Sequence, residues 1–535
     1  MKSKLFYLIV FLAFFSRFVG LSGLPPALNR DEAGIGYNAY SLIQTGRDEH
    51  GQRLPLAFQS IGDYKMPLYI YAATIPVSLF GLNDFSIRFW SALAGVVSVI
   101  TVYYLVRELF HSRSVPQAQH HSGGVLAALL FALNPWAIFY SRIAFEANLA
   151  LAFFLVGLFF TLRGFKNIGY FASGLGLFLL ALLTYSSSLI FIPVFLAVYF
   201  FVNRRQLDRQ RLVFLAVFLS ATALIVGSLW SVSAQKSSIT IFSDPATIDY
   251  YSRTRTEVFD QNQFLARTWW NKYVFFARRV GDNYLATFSP KFLLTQGGNH
   301  PWHQIPGMGY FYPLEIVFAV IGLYWLLRRV TRNPQLVTLL VWLLLAPLPS
   351  AITIDAPHAT RSFHLLPLIL ILSALGVAAS YPYLKKRRLI IFLIGLLYVV
   401  NFSYFAYQYI TVYPKKIAGF LPVGIKESLK FVNQKNLDGN IYLTGIHDST
   451  YLYPLVYTGF DPQAFQSQAS WTKPDSAGLT NAYAFGQFVI VDDLKDVANP
   501  FDSAQGKPAA VILPQDLNYQ GETAASFGNY RVFLP

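Results

Sequence analysis

The side chains equipped for chemistry lie in short polar islands between long apolar runs. Asn29-Arg30-Asp31-Glu32 opens one island, and Gly62-Asp63-Tyr64-Lys65-Met66-Pro67 closes it. Others hold Arg142 and Glu146, His300 and His303 with Tyr310, and Asp355 with Arg361. A carboxylate within reach of a hydroxyl can take its proton as a general base. A departing phosphate is already a good leaving group, so it needs cations more than it needs an acid. Asp31 therefore reads as the base, with Glu146 as a second acid, and Lys65 and Arg361 as phosphate contacts. Glu32, Arg142, His300, His303 and Tyr310 are the candidates for holding substrate. Two readings stay open. Arg142 and Glu146, four apart, would share a helical face as a structural ion pair, and Arg361 would snorkel to lipid headgroups. His300 and His303 without a firm third ligand assign no metal site, although a divalent ion stays possible. The chain has no cysteine, which excludes thiolate sites and disulfides. No phosphate-cradling or dinucleotide glycine motif stands in a credible context, and no cofactor is indicated.

These residues must be positioned by elements that live largely in lipid. Only 13% of residues are charged and 54% are hydrophobic, against about 25% charged in soluble proteins. A crossing helix needs about 20 mostly apolar residues. Such runs lie at 4–22, 84–106, 122–141, 144–162, 168–185, 188–202, 211–231, 313–328, 335–353, 363–382 and 389–410. The run at 4–22 has no clear cleavage site after it and reads as a retained anchor. With the N-terminus inside, alternate short loops carry 17 Lys and Arg, among them Arg113, Arg332, Lys385 and Lys386, opposed only by Glu108 and Asp208. They net +15, which is the charge of the whole chain. The basic balance is thus a topology signal, and nucleic acid is excluded as a partner. Pro67–Leu82 is apolar but short, and a crossing there would put every later basic loop outside. It therefore reads as a re-entrant or interfacial helix on the outer side.

Three long segments, 23–83, 232–312 and 411–535, then face outward. In the first, Asn29 caps a helix starting at Arg30, with Ile35, Tyr37, Tyr40 and Ile43 as a membrane-lying face. Trp269-Trp270 in the second reads as an interfacial anchor, not a sugar platform. The tail contains four strand-like runs, Asn440–Thr444, Gln487–Val491, Ala509–Leu513 and Tyr530–Leu534, separated by turn-rich stretches. The expected organisation is a membrane-embedded part over 1–410 and an extracytoplasmic part over 411–535.

In order, side and spacing these motifs resemble the membrane-embedded GT-C glycosyltransferases, in the superfamily of protein O-mannosyltransferases and lipid A aminoarabinose transferases. The resemblance runs over about 5–410. It rests on Asn29-Arg30-Asp31-Glu32, Tyr64-Lys65-Met66-Pro67-Leu68-Tyr69, the run Phe80 to Phe89, and Asn134-Pro135 with Ser141-Arg142 and Glu146. It implies an outer-loop acid as catalytic residue, falling on Asp31, and a donor-phosphate lysine, falling on Lys65. Met66 stands where the family's lysine motif has proline, and Glu146 where an aspartate is usual. The implied fold is an all-α polytopic membrane protein of about 11 transmembrane helices plus outer-side re-entrant or interfacial helices, with a small C-terminal α/β or β-rich domain. The implied reaction is inverting transfer of a sugar from a polyprenyl-phosphate donor to an outer-face acceptor hydroxyl on a protein, lipid or glycan. The location would be the plasma membrane, multi-pass, with the N-terminus cytoplasmic. The alternative is a transporter or flippase of lipid-linked sugars, which would show internal repeats or midplane charges; no clear repeat is visible.

Overall fold

The computed structural model describes residues 2–61, 63–110, 117–229, 239–330, 334–384, 387–445, 449–474, 480–491, 508–517 and 522–534. Gly62, Arg113, Arg332, Lys385 and Lys386, named above, lie outside the described residues.

In chain order the elements begin with α1 (Lys2–Phe18), α2 (Arg30–Thr45), the hairpin β1 (Phe58–Ser60) and β2 (Asp63–Lys65), and α3 (Pro67–Phe80). Then come α4 (Asp84–Leu109), α5 (Gln117–Leu133), α6 (Pro135–Ser141), α7 (Glu146–Gly164), α8 (Ile168–Thr184), α9 (Ser188–Val202) and α10 (Arg209–Ser228). The apolar helices Pro313–Leu327, Pro334–Leu345, Leu365–Ser380 and Arg387–Tyr407 follow. Each of the eleven apolar runs read from the sequence coincides with helix. The run at 122–141 is broken by Pro135 into α5 and α6, bent by 58°. Among the described residues five helices are long and apolar enough to cross a membrane, or six if that bent pair is one span. The protein is therefore a polytopic, mostly helical membrane protein. In α10 only 11% of the apolar window is buried, and in Arg388–Ile417 only 6%, so their apolar side chains are left for lipid.

Two compact units divide the chain. The first is Met1–Arg17, Leu93–Ser141 and Phe145–Gln408; the second is Phe18–Ala92, Arg142–Ala144 and Tyr409–Pro535. Within the first, small residues let helices approach. A Cβ on Gly322 would stand 1.9 Å from the Leu372 carbonyl oxygen, and one on Gly376 would stand 1.8 Å from that of Phe318. Helices Pro313–Leu327 and Leu365–Ser380 thus touch backbone to backbone, the arrangement lipid favours where burial of apolar surface supplies no drive.

The second unit holds a seven-stranded sheet. Its strands are β3 (Asn440–Leu443), β4 (Ser470–Trp471), β5 (Ala482–Phe485), β6 (Phe488–Ile490), β7 (Pro508–Pro514), β8 (Thr523–Phe527) and β9 (Tyr530–Phe533), in the order β4-β5-β6-β3-β7-β9-β8. β3 runs parallel to β6 and β7, and the remaining pairs are antiparallel. All four strand-like runs of the tail are present. Tyr442, Val511, Leu513 and Phe533 fill one face of the sheet, following the two-residue period of strands. Helices Ile425–Gln434, Leu452–Thr458 and Pro462–Gln468 make it an α/β fold.

The tail shares its unit with α2, which packs on helices Leu452–Thr458 and Pro462–Gln468. The expected membrane-lying face of α2 is corrected here. Ile35 and Tyr37 are fully buried, and only Ile43 of the four is exposed. Tyr37 donates to the Phe460 carbonyl at 3.2 Å and meets Phe465 edge-on. The apolar stripe was real, but its partner is protein rather than lipid. Helix α3, 14 residues starting with Pro67, is too short to span a bilayer at about 1.5 Å per residue, and it leaves Ile75, Leu79 and Phe80 exposed.

Candidate active site

The first polar island is organised by the start of α2. Asn29 is the N-cap: its side chain accepts from the Glu32 amide at 2.9 Å, and the Glu32 carboxylate accepts from the Asn29 amide at 3.1 Å. This reciprocal box fixes the first turn and leaves Asp31 directed outward. Lys65, the last residue of β2, donates to Asp31 Oδ1 at 2.7 Å. The lysine is 7% exposed and the aspartate 40%, so one charge is anchored in protein and the other is partly open to its surroundings. Pro67 starts α3 two residues on.

Glu32, expected to hold substrate, is placed elsewhere. It is fully buried and receives Arg88 through both oxygens, at 2.7 and 3.1 Å, and also the Ala144 amide at 3.0 Å. Arg88 spends its remaining donors on the carbonyls of Leu21, Pro25 and Ala27. Arg142 likewise binds the Val19 and Leu24 carbonyls at 2.8 and 3.2 Å. Both therefore act as scaffold for the chain entering α2. Asp84, at the start of α4, is paired with Lys426 and accepts from Tyr457. The motif running from Phe80 to Phe89 is thus a set of anchors.

Arg142 and Glu146 do not share a helix, contrary to the expected face-sharing pair: α6 ends at Ser141, and α7 begins at Glu146 after Phe145 as its cap. Glu146 instead sits at the positive end of α7. It belongs to the first unit together with Arg361, His300, His303 and Tyr310, whereas Asp31, Glu32, Lys65 and Arg142 belong to the second.

In the first unit, Arg361 pairs with Asp355 and donates to Thr353 Oγ1 at 2.9 Å. Asp355 also lies 3.6 Å from His358. Gly298, Asn299, His300, His303, Asp355, Pro357, His358 and Ala359 line a recess of about 130 Å³. His303 bonds Thr360 Oγ1 at 3.1 Å and Tyr140 at 3.3 Å. Burial, and then the neighbouring Arg361 and His300, hold His358 well below the usual histidine range, so its imidazole is neutral. Tyr310 is buried and stacks on Trp136; its hydroxyl donates to the His303 carbonyl at 2.6 Å and accepts from the Gly298 amide at 2.7 Å. It shapes the recess rather than lining it. Sequence reasoning named the island of Asp355 and Arg361 but gave Asp355 no role and His358 no place in this site. Their signal was the three-residue spacing Asp355, His358, Arg361, which brings all three to one side of a turn. Among the described residues no set of three or more His, Cys, Asp or Glu is arranged to hold a metal ion.

Residues 64–230 match the family described as dolichyl-phosphate-mannose-protein mannosyltransferase. No curated protein sequence matches the chain. Among solved structures, ArnT from Cupriavidus metallidurans in the apo state is similar with a TM-score of 0.53 at 14% identity, covering 98% of this chain and 97% of that one. The same protein bound to undecaprenyl phosphate gives 0.54 at 13% identity, with the same coverage. At such identities the likeness speaks for the fold, and it does so along nearly the whole length. Residues 64–230 are thus similar to the protein mannosyltransferase family, and the chain as a whole shares the fold of ArnT.

Proposed function

We propose that this protein transfers a sugar from a polyprenyl-phosphate donor to an acceptor hydroxyl on the outer face of the plasma membrane, with inversion. The observation that carries this reading is the Asp31–Lys65 pair, 2.7 Å apart at the joint of α2, β2 and α3. A carboxylate held by an ammonium is a poor base. A donor phosphodiester brings a second singly charged anion to Lys65; it competes with Asp31 for the ammonium and frees the carboxylate to act, and its charge doubles as the sugar leaves. The acceptor oxygen then bonds the anomeric carbon while its proton passes to Asp31. The carbon–oxygen bond to phosphate breaks, and its electron pair leaves on the polyprenyl phosphate. Lys65 stabilises that charge. The bound undecaprenyl phosphate in ArnT supports a lipid-linked donor of this kind. In this reading the part up to 410 is the membrane-embedded catalytic part, and 411–535 lies outside.

The test offers radiolabelled polyprenyl-phosphate sugars to membranes containing the protein and identifies the labelled product by mass spectrometry. Product that depends on Asp31 supports the assignment. Movement of intact lipid-linked sugar across sealed vesicles, without product, would instead make the protein a flippase.

A further inference from the structure

A second opening in the first unit has not entered the reading so far. A cleft of about 640 Å³ lies between the helices Pro245–Gln261 and Lys272–Ala286, with Trp270 and Ile354 at its wall. This is within the range of roughly 300–1,000 Å³ usual for small-molecule sites. Tyr250, Trp270 and Phe275 supply aromatic wall, and Asp244, Asp282, Arg278 and Arg279 supply charge.

These walls are built rather than incidental. Trp270 packs on the buried cluster of Ile241, Phe275 and Phe276, and Arg278 lies over both Trp269 and Trp270, 5.4 and 5.9 Å from the ring centres. Asp244 caps the first helix, accepting from the Thr247 amide at 2.8 Å and its hydroxyl at 2.5 Å. Those bonds keep its carboxyl below the usual range and ionised. Asn283, beside Asp282, donates to the carbonyls of Ala351 and Thr353. Together with the Thr240–Thr353 bridge, this ties the cleft to the turn bearing Asp355 and Arg361. Ile354, a wall of the cleft, directly precedes Asp355.

We propose that this cleft binds a short neutral glycan, the acceptor of the transferred sugar. Three features select that chemistry. Aromatic faces are electron-rich and receive the C–H face of a pyranose ring. Ionised carboxylates only accept hydrogen bonds and guanidiniums only donate them, so the mixture suits a ligand whose hydroxyls do both. The carboxylates match the guanidiniums in number, which disfavours a lipid phosphate that Asp244 and Asp282 would repel. The anchor role read from the sequence fits Trp269, which is 55% exposed, while Trp270 faces the cleft. The glycan's role as acceptor rests on the transfer reading; its binding does not.

The experiment uses the full-length protein in nanodiscs and a panel of neutral trisaccharides: maltotriose, mannotriose and chitotriose. Saturation-transfer NMR is expected to show at least one bound. Trp270→Ala and Asp282→Asn are each expected to weaken it about tenfold or more, a loss of about 1.4 kcal/mol. Asp282 is exposed, so its substitution keeps the test sound if the tryptophan variant misfolds. Asp31→Asn should leave this binding intact while transfer stops, which separates the two readings. Failure of all three trisaccharides to bind, binding unchanged in both cleft variants, or displacement of the trisaccharide by phosphatidylglycerol headgroups would each overturn the proposal.

Discussion

At the scale of single residues, two neighbouring carboxylates in one helical turn have opposite fates. Asp31 is partly exposed and meets one lysine; Glu32 is buried under an arginine and two backbone amides. Asp31→Asn keeps the shape and the capping box but removes the base. Turnover is expected to fall by roughly 10² to 10⁴, with an unchanged melting curve; undiminished turnover removes Asp31 from the mechanism. Arg88→Met acts in the opposite way. It strands the Glu32 charge in the interior, at a cost of about 3–5 kcal/mol. Thermal unfolding should record that loss, and the double variant with Glu32→Gln should recover much of it.

At the scale of elements, the loop after α2 is docked on the tail through a buried carboxylate. Glu49 accepts from Asn38 and Tyr451, each at 2.9 Å, with buried Asp48 and half-buried His50 beside it and Trp471 against His50. Burial pushes Glu49 up to about 8 and His50 down to about 4, and it raises Asp48 as well. Between pH 4.5 and 8 the folded state keeps a proton on Glu49 that the unfolded state has lost, so stability falls as pH rises. His50 works in the other direction between 4 and 6.5, where the unfolded chain is the better proton binder. The two offset one another up to about 6.5 and leave a net loss of roughly 2 kcal/mol from there to pH 8. Melting temperature should therefore drop over that interval in the wild type and stay flat in Glu49→Gln; parallel slopes would show that Glu49 does not titrate there.

At the scale of the whole molecule, the claims concern topology. Placing all the net positive charge on one side of the membrane requires α3 not to cross. Reporter fusions after Gly46 and after Tyr413 are both expected to report the outer side. A cytoplasmic signal from either would make α3 a span, or would remove one of the eleven, and would separate Asp31 from the face on which the acceptor is proposed to arrive.

Much of this was legible in the chain itself. Apolar run length marked where helix lies in each of the eleven runs, because a bilayer imposes length and hydropathy locally. Asn29 as a cap and Pro67 as a helix start were legible for the same reason: each acts within one turn. The four tail strands could be read from their runs of β-forming residues. What a side chain touches across distant sequence could not. Ile35 and Tyr37 form a stripe equally suited to lipid and to protein, and only the fold of Leu452–Gln468 decided between them. Glu32 and Asp31 are adjacent acids, and only Arg88, 56 residues on, made one a buried anchor. Trp269 and Trp270 read alike until packing turned one outward and set the other in a cleft wall. Local pattern determined the elements and the class of chemistry, since those depend on neighbours in sequence. Tertiary structure decided which carboxylate remains available, because availability depends on which distant groups have already satisfied it.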